Sequence, residues 1–154
     1  KEPVRLSKLL RSYAADLLNA GIGEKHSVEV EISSEAETAV IECDARLISR
    51  AIGNLVQNSI NHNPQGCDIF LSLDCSSENV SITVADNGVG LSAEKLRELE
   101  EKPHYIESTD ERLDLRHGLG LLLVRQVVEA HGGNIEIRNL LQHGCEFCLI
   151  FRFK

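Results

Sequence analysis

The apolar residues of this chain change period repeatedly between Leu6 and Phe153. A period near 3.6 marks a helix with one apolar face, and a period of two marks a strand with one apolar face. A chain that keeps switching between the two buries those faces by laying helices on a sheet. Leu6, Leu9, Leu10, Tyr13, Ala14, Leu17 and Leu18 predict a helix that Gly21 and Gly23 end. Val28, Val30 and Ile32 alternate with Glu29 and Glu31, which predicts a strand with one wet face, and 39–43 reads as a second short strand. Asp44 suits the N-cap of a helix over 45–61, which stops before Asn63-Pro64 because proline disfavours helix at the residue before it. Strands over 69–73 and 80–84 are joined at 76–79 as a hairpin. A glycine-rich turn at 86–90, a short helix over 92–99 and a long aperiodic loop over 100–117 follow. A helix over 118–131 is stopped by Gly132-Gly133, and strands over 135–138 and 146–153 close the chain as a second hairpin. The predicted fold class is α/β: a two-layer sandwich with a mixed, largely antiparallel sheet and helices on one face. No internal repeat is visible, and residues 1–154 read as one domain.

Composition narrows the function. The net charge is −8 and no lysine or arginine cluster stands out, so nucleic acid is not the expected partner. The apolar run Leu119–Val124 is too short to span a bilayer, so no direct membrane contact is expected, and the stretch given reads as having no signal peptide. A first residue of Lys rather than Met reads as a fragment of something longer. The 5 cysteines are odd in number and irregularly spaced, which fits a reducing compartment rather than a disulfide framework. Cys145 and Cys148 form a lone CxxC within a strand, where a spacing of three places them on opposite faces, and no second pair completes a zinc site. They read as small buried hydrophobes.

Three clusters carry chemistry. On the helix over 45–61, Asn54, Asn58 and Asn61 share the side that the apolar residues leave. An amide oxygen is a hard neutral ligand suited to Mg²⁺, although a stripe of amides can also be a solvated helix face. Asp86-Asn87-Gly88-Val89-Gly90 follows an apolar strand, where glycines allow a sharp turn and a carboxylate can accept from an adenine amino group. The same pentapeptide can be only a turn. His117-Gly118-Leu119-Gly120-Leu121 opens a helix whose N-terminal N–H groups can bind phosphate. It is neither a Walker A loop nor GxGxxG, since Leu123 stands at the third glycine position.

Taken in order, these motifs resemble the GHKL superfamily of ATP-binding domains, and within it sensor histidine kinases. The N box of that family looks like Asn54-Leu55-Val56-Gln57-Asn58-Ser59 continuing to Asn63-Pro64-Gln65-Gly66. The G1 box looks like Asp86-Asn87-Gly88-Val89-Gly90, the G2 box like Gly118-Leu119-Gly120-Leu121, and Gly144–Phe147 is similar to the last glycine motif. The resemblance implies a Bergerat-type fold with a flexible ATP lid over Glu100–His117, and residues 1–20 as the start of the domain after a linker from a dimerisation domain. It implies ATP and Mg²⁺ as ligands. Asn58 is then the metal ligand, Asn54 a phosphate-side partner, and Asp86 the acceptor for the adenine amino group. Gly88 and Gly90 leave room for the base, and Gly118 and Gly120 hinge the lid.

The chain departs from the family pattern in several places. Asn61 stands where a lysine near the phosphates is usual, and His62 replaces the aromatic that follows it. Arg116 replaces the first glycine of the G2 pattern, and His104-Tyr105-Ile106 lies where a lid phenylalanine is expected. Arg112, Arg116 and His117 become candidates to meet the phosphate charge; as solvated loop charges they would do nothing there.

Hydrolysing members and serine kinases of the superfamily carry a glutamate base one turn before the metal asparagine. Here that residue is Asn54, which accepts no proton at neutral pH. The nucleophile must be reactive without it, as a neutral imidazole is. The resemblance therefore implies transfer of the ATP γ-phosphoryl group to a histidine on a separate dimerisation domain. It also implies a response regulator downstream, and a cytoplasmic domain of a membrane-anchored bacterial sensor. None of the 6 histidines is followed by an acidic residue, as the acceptor of such kinases is, so the acceptor lies elsewhere. A kinase-like module that acts by docking, with or without nucleotide, is the alternative, as is another ATPase of the superfamily.

Overall fold

The computed structural model describes residues 1–21, 24–94, 97, 119–140 and 144–153, with the backbone alone at 119 and 120. Along the chain run β1 (Glu2–Arg5), α1 (Leu6–Ala20), β2 (His26–Ile32), β3 (Val40–Cys43), α2 (Ala45–His62), β4 (Cys67–Cys75), β5 (Asn79–Asp86), α3 (Leu119–Ala130), β6 (Asn134–Asn139) and β7 (Cys145–Arg152). Ala93, Glu94 and Arg97 of the expected short helix are helical. The expected lid, with Arg112, Arg116, His117 and Gly118, lies outside the described residues.

Asp44 caps α2 as its sequence position predicts: its Oδ1 accepts from the N–H groups of Arg46 at 3.1 Å and Leu47 at 3.2 Å. At the end of α1, Gly21 takes φ 82° and donates its N–H to the carbonyls of Leu17 and Leu18. Leu6, Leu10 and Ala14 of α1, Ile48, Ile52, Leu55 and Val56 of α2, and Leu121, Val124 and Val128 of α3 are buried, each set at helical spacing.

They cover one face of a five-stranded sheet of order β2-β4-β5-β7-β6. Its contribution to the core alternates along the strands: Ile69, Leu71 and Leu73, then Val80, Ile82 and Val84, then Phe147, Leu149 and Phe151. Burying each such side chain stabilises the fold by roughly 1.5–3 kcal/mol. On β7, Cys145 falls on the buried side and Cys148 on the other, as the spacing requires. All neighbours in this sheet are antiparallel except β2 and β4. That pair is parallel because α2 carries the chain back across the sheet between them, as a parallel connection needs.

Two features depart from the sequence-based expectation. The strands β4 and β5 run past 69–73 and 80–84 at both ends, because the hairpin ladder continues through polar residues. The strand around 40–43 leaves the main sheet and pairs with β1, in a register that sets Pro3 against Glu42 and Val4 against Ile41. A stretch reading Glu-Pro-Val-Arg has too few apolar residues to show a period. Its proline, which cannot donate to a ladder, argues against any strand that is not at an edge.

Candidate nucleotide site

Asp86 is the last residue of β5 and continues the inward row of Val80, Ile82 and Val84, so strand parity turns its carboxylate inward. The residue is only 1% exposed. A buried carboxylate requires donors. Ser59 Oγ, on α2, donates to Oδ2 at 2.8 Å, the Cys145 thiol donates to the same oxygen at 3.6 Å, and the Gly88 N–H donates to Oδ1 at 2.9 Å. An ionised carboxylate offers about four acceptor positions, so a donor from a ligand can still be received. Burial, and then the charge of Asp86, pushes the Cys145 thiol up to about 12 and the Cys67 thiol up to about 11. Both remain thiols at neutral pH.

The turn after Asp86 is held by three asparagines. Asn63, the C-cap of α2, is buried; it donates from Nδ2 to the Ser59 carbonyl at 2.8 Å and accepts the Val89 N–H at Oδ1, also at 2.8 Å. His26 Nε2 donates to the Asn63 carbonyl at 2.8 Å, which sets the tautomer of that ring. A Cβ on Gly88 would lie 1.9 Å from Asn63 Oδ1, so only glycine lets the turn close on Asn63. Asn87 exchanges bonds with Asp68: Nδ2 donates to Oδ2 at 3.0 Å, and the Asp68 N–H donates to Oδ1 at 2.7 Å. The Ser27 hydroxyl, then Asn87, holds the Asp68 carboxyl below the usual range. Asn139, at the end of β6, clasps Leu91. Behind Asp86, Gly144 takes φ 92°, and a Cβ there would lie 1.7 Å from the Asp86 carbonyl.

On α2, Asn54 and Asn58 are half-buried, while Asn61 is exposed and accepts from Gln57 Nε2 at 3.0 Å. His62 is the last residue of the helix and half-buried. The bond from Ser59 to Asp86 brings this amide-bearing stretch against the Asp86–Gly90 turn. At α3, Leu119 and Gly120 lie in the first helical turn and Leu121 is in the core. Ser59, Asn63 and Asn139 were not expected from the sequence. Ser59 and Asn63 stand within the N-box stretch, but nothing in one dimension shows which amides and hydroxyls turn inward.

Among the described residues no group of three or more His, Cys, Asp or Glu could hold a metal. A divalent cation beside Asn58 would therefore take its other ligands from phosphate and water, which is how Mg²⁺ is ordinarily held. The residues present fit such a cation.

Helices on one face of a mixed sheet, with a buried aspartate at a strand end facing an amide-bearing helix, make the chain a two-layer α/β sandwich with a candidate nucleotide site between the strand end and α2. Residues 43–154 match the family described as histidine kinase-, DNA gyrase B-, and HSP90-like ATPase, and the chain belongs to that family. It is 30% identical over 112 residues to Sensor protein IrlS of Burkholderia pseudomallei, covering 73% of this chain and 24% of that one. It is 31% identical over 145 residues to Sporulation kinase B of Bacillus subtilis, covering 94% of this chain and 32% of that one. The chain thus spans about a quarter to a third of the length of these curated relatives. Among solved structures, the ATP binding domain of PrrB from Mycobacterium tuberculosis is 26% identical, with TM-score 0.71, covering 99% of this chain and 97% of that one. The catalytic domain of histidine kinase ThkA has TM-score 0.76 at 22% identity, over 97% and 93% of the two chains, a likeness of fold.

Proposed function

We propose that this chain is the ATP-binding catalytic domain of a two-component sensor histidine kinase. The observation that carries the reading is the buried Asp86 carboxylate, fixed by Ser59 and the Gly88 N–H with acceptor capacity to spare. It receives the adenine amino group. The triphosphate then runs along α2 past Asn58 and Asn54. Asn58 holds a Mg²⁺ ion shared with the phosphates, which supplies charge neutralisation there. Leu119 and Gly120 present N–H groups at the start of α3, and Arg112, Arg116, His117 and Gly118 contribute from the lid side. His62 lies against the base, and Asn61 leaves phosphate charge to those other groups.

A nitrogen lone pair of the acceptor imidazole attacks the γ-phosphorus, the bond from phosphorus to the bridging oxygen breaks, and ADP leaves with that electron pair. With an amide at position 54, that position offers no carboxylate to activate water instead. The acceptor histidine belongs to a dimerisation domain, a response regulator receives the phosphoryl group afterwards, and the domain works in the cytoplasm. No helix among the described residues is long and apolar enough to cross a membrane.

The test is turnover of the chain alone and with its acceptor domain. Alone it should bind Mg-ATP, hydrolyse it far below the roughly 10 s⁻¹ enzyme median, and not label itself. With the acceptor domain it should form a phosphoryl bond stable to base and labile to acid. Rapid hydrolysis by the chain alone sinks the reading. Asn54→Glu should raise hydrolysis without raising transfer.

A further inference from the structure

Past Asn54, toward the N-terminus of α2, a groove is lined by Tyr13, Asp44, Arg46, Leu47, Arg50 and Asn54 among others. Arg46, Arg50 and Asn54 are spaced four apart and follow one face of the helix. Both arginines are exposed. Elsewhere arginines are paired, Arg5 and Arg11 with Glu37 and Arg138 with Glu146. Neither Arg46 nor Arg50 has a side-chain partner among the described residues. Asp44, the carboxylate that lines the groove, is engaged in capping α2. In a chain of net charge −8 the groove is therefore locally basic.

Its position relative to the nucleotide site gives the charge a direction. Ser59, Asn58, Asn54, Arg50 and Arg46 succeed one another toward the helix N-terminus at about 1.5 Å per residue. Base binding at Asp86 and phosphate binding at Asn58 and Asn54 put the γ-phosphoryl end of the nucleotide toward Arg50. Helical side chains lean toward the N-terminus, so the guanidiniums reach away from Asn58, over the groove. An acceptor must approach the phosphorus in line with the departing oxygen, which brings its carrier over this surface.

We propose that the groove is the docking surface for the domain carrying the acceptor histidine, and that the docked face of that domain is acidic. The inference rests on the kinase reading above and assigns Arg46 and Arg50 to recognition of the protein substrate rather than of ATP.

The experiment compares wild type, R46E/R50E and R46K/R50K, supplying the acceptor domain of the same kinase in trans. In the doubly reversed variant the KM for the acceptor domain should rise about tenfold or more at low salt, as for lost electrostatic steering. Added salt should weaken wild type toward the variant. The calorimetric ATP affinity and the thermal midpoint should stay at wild-type values. R46K/R50K should behave as wild type, because charge and not fork geometry is the requirement. An unchanged KM for the acceptor, or a loss of ATP affinity in R46E/R50E, overturns the proposal; the latter makes these arginines phosphate ligands. No transfer by wild type, with ATP bound, overturns the kinase reading and this inference together, whereas transfer insensitive to the reversal overturns the docking surface alone.

Discussion

The carboxamide of Asn139 grips the backbone of Leu91 from both sides: Nδ2 donates to the Leu91 carbonyl at 2.7 Å, and Oδ1 accepts the Leu91 N–H at 2.9 Å. Residues 48 apart in sequence are thereby joined as if by one rung of a ladder, and the exit of the Asp86–Gly90 turn is tied to the end of β6. Each bond contributes roughly 1 kcal/mol net. Asn139→Ala should cost about 1–2 kcal/mol in urea unfolding, and Asn139→Asp more, since a carboxylate would face the Leu91 carbonyl. Amide exchange at Leu91 should speed up in both. Unfolding midpoints equal to wild type in both variants would show the clasp to be idle.

Asp86 should set nucleotide choice. On the proposed reading its carboxylate accepts from an adenine amino group, whereas guanine would place a carbonyl oxygen there and two acceptors repel. The loss of a hydrogen bond to a charged group is about 1.5–3 kcal/mol, so ATP should bind roughly ten- to a hundred-fold tighter than GTP. Asp86→Ala should abolish the preference. Ser59→Ala, which removes the donor at 2.8 Å, should weaken ATP binding by a smaller factor. Equal calorimetric affinities of wild type for ATP and GTP would remove Asp86 from the site.

Asn58 should matter more when metal is present. Asn58→Ala deletes an amide oxygen, the proposed metal ligand, from a half-buried helix position without touching the core row of Leu55 and Val56. ATP affinity with Mg²⁺ should fall more than affinity in chelator. Equal losses in the two titrations would give Asn58 a packing role instead.

The Cys145 thiol gives an alkaline signature. Its ordinary value is 9.0, and in the fold it is held at about 12 by burial and then by Asp86. A group whose folded value is raised stabilises the native state below its unfolded value and loses that contribution as pH climbs toward the folded one. Above pH 9 the unfolded thiol therefore ionises first, and native stability drains away up to about pH 12, at roughly 1.4 kcal/mol per pH unit per group. Unfolding free energies of wild type and Cys145→Ala, compared at pH 8 and pH 10.5, should converge or cross. A constant difference would disprove the shift.

Much of this was legible in one dimension because it depends on local order. The amphipathic periods of 6–18 and 45–61, the cap at Asp44 and the two hairpins each follow from residues near one another in the chain. The motif order around Asn54, Asn58 and Asp86 was equally visible. Illegible was the support behind the motifs. The sequence does not say that Ser59 rather than Asn58 meets Asp86, that Asn63 turns inward to take the Val89 N–H, or that Asn139 reaches Leu91.

The sequence by itself determined which faces are apolar, where the helices and most strands begin, and which residue types are available for nucleotide chemistry, since these follow from spacing and side-chain type. Tertiary structure alone decided that β3 leaves the main sheet for β1 and that β2 lies parallel to β4. It also decided that Asn63 packs against Gly88, and that Arg46 and Arg50 line a groove with Asn54 and have no side-chain partner among the described residues. Pairing and burial of polar groups depend on which distant segments meet. A buried donor or acceptor costs stability until it finds its partner, and that partner is set by the packing of the whole sheet and its helices rather than by any neighbour in the chain.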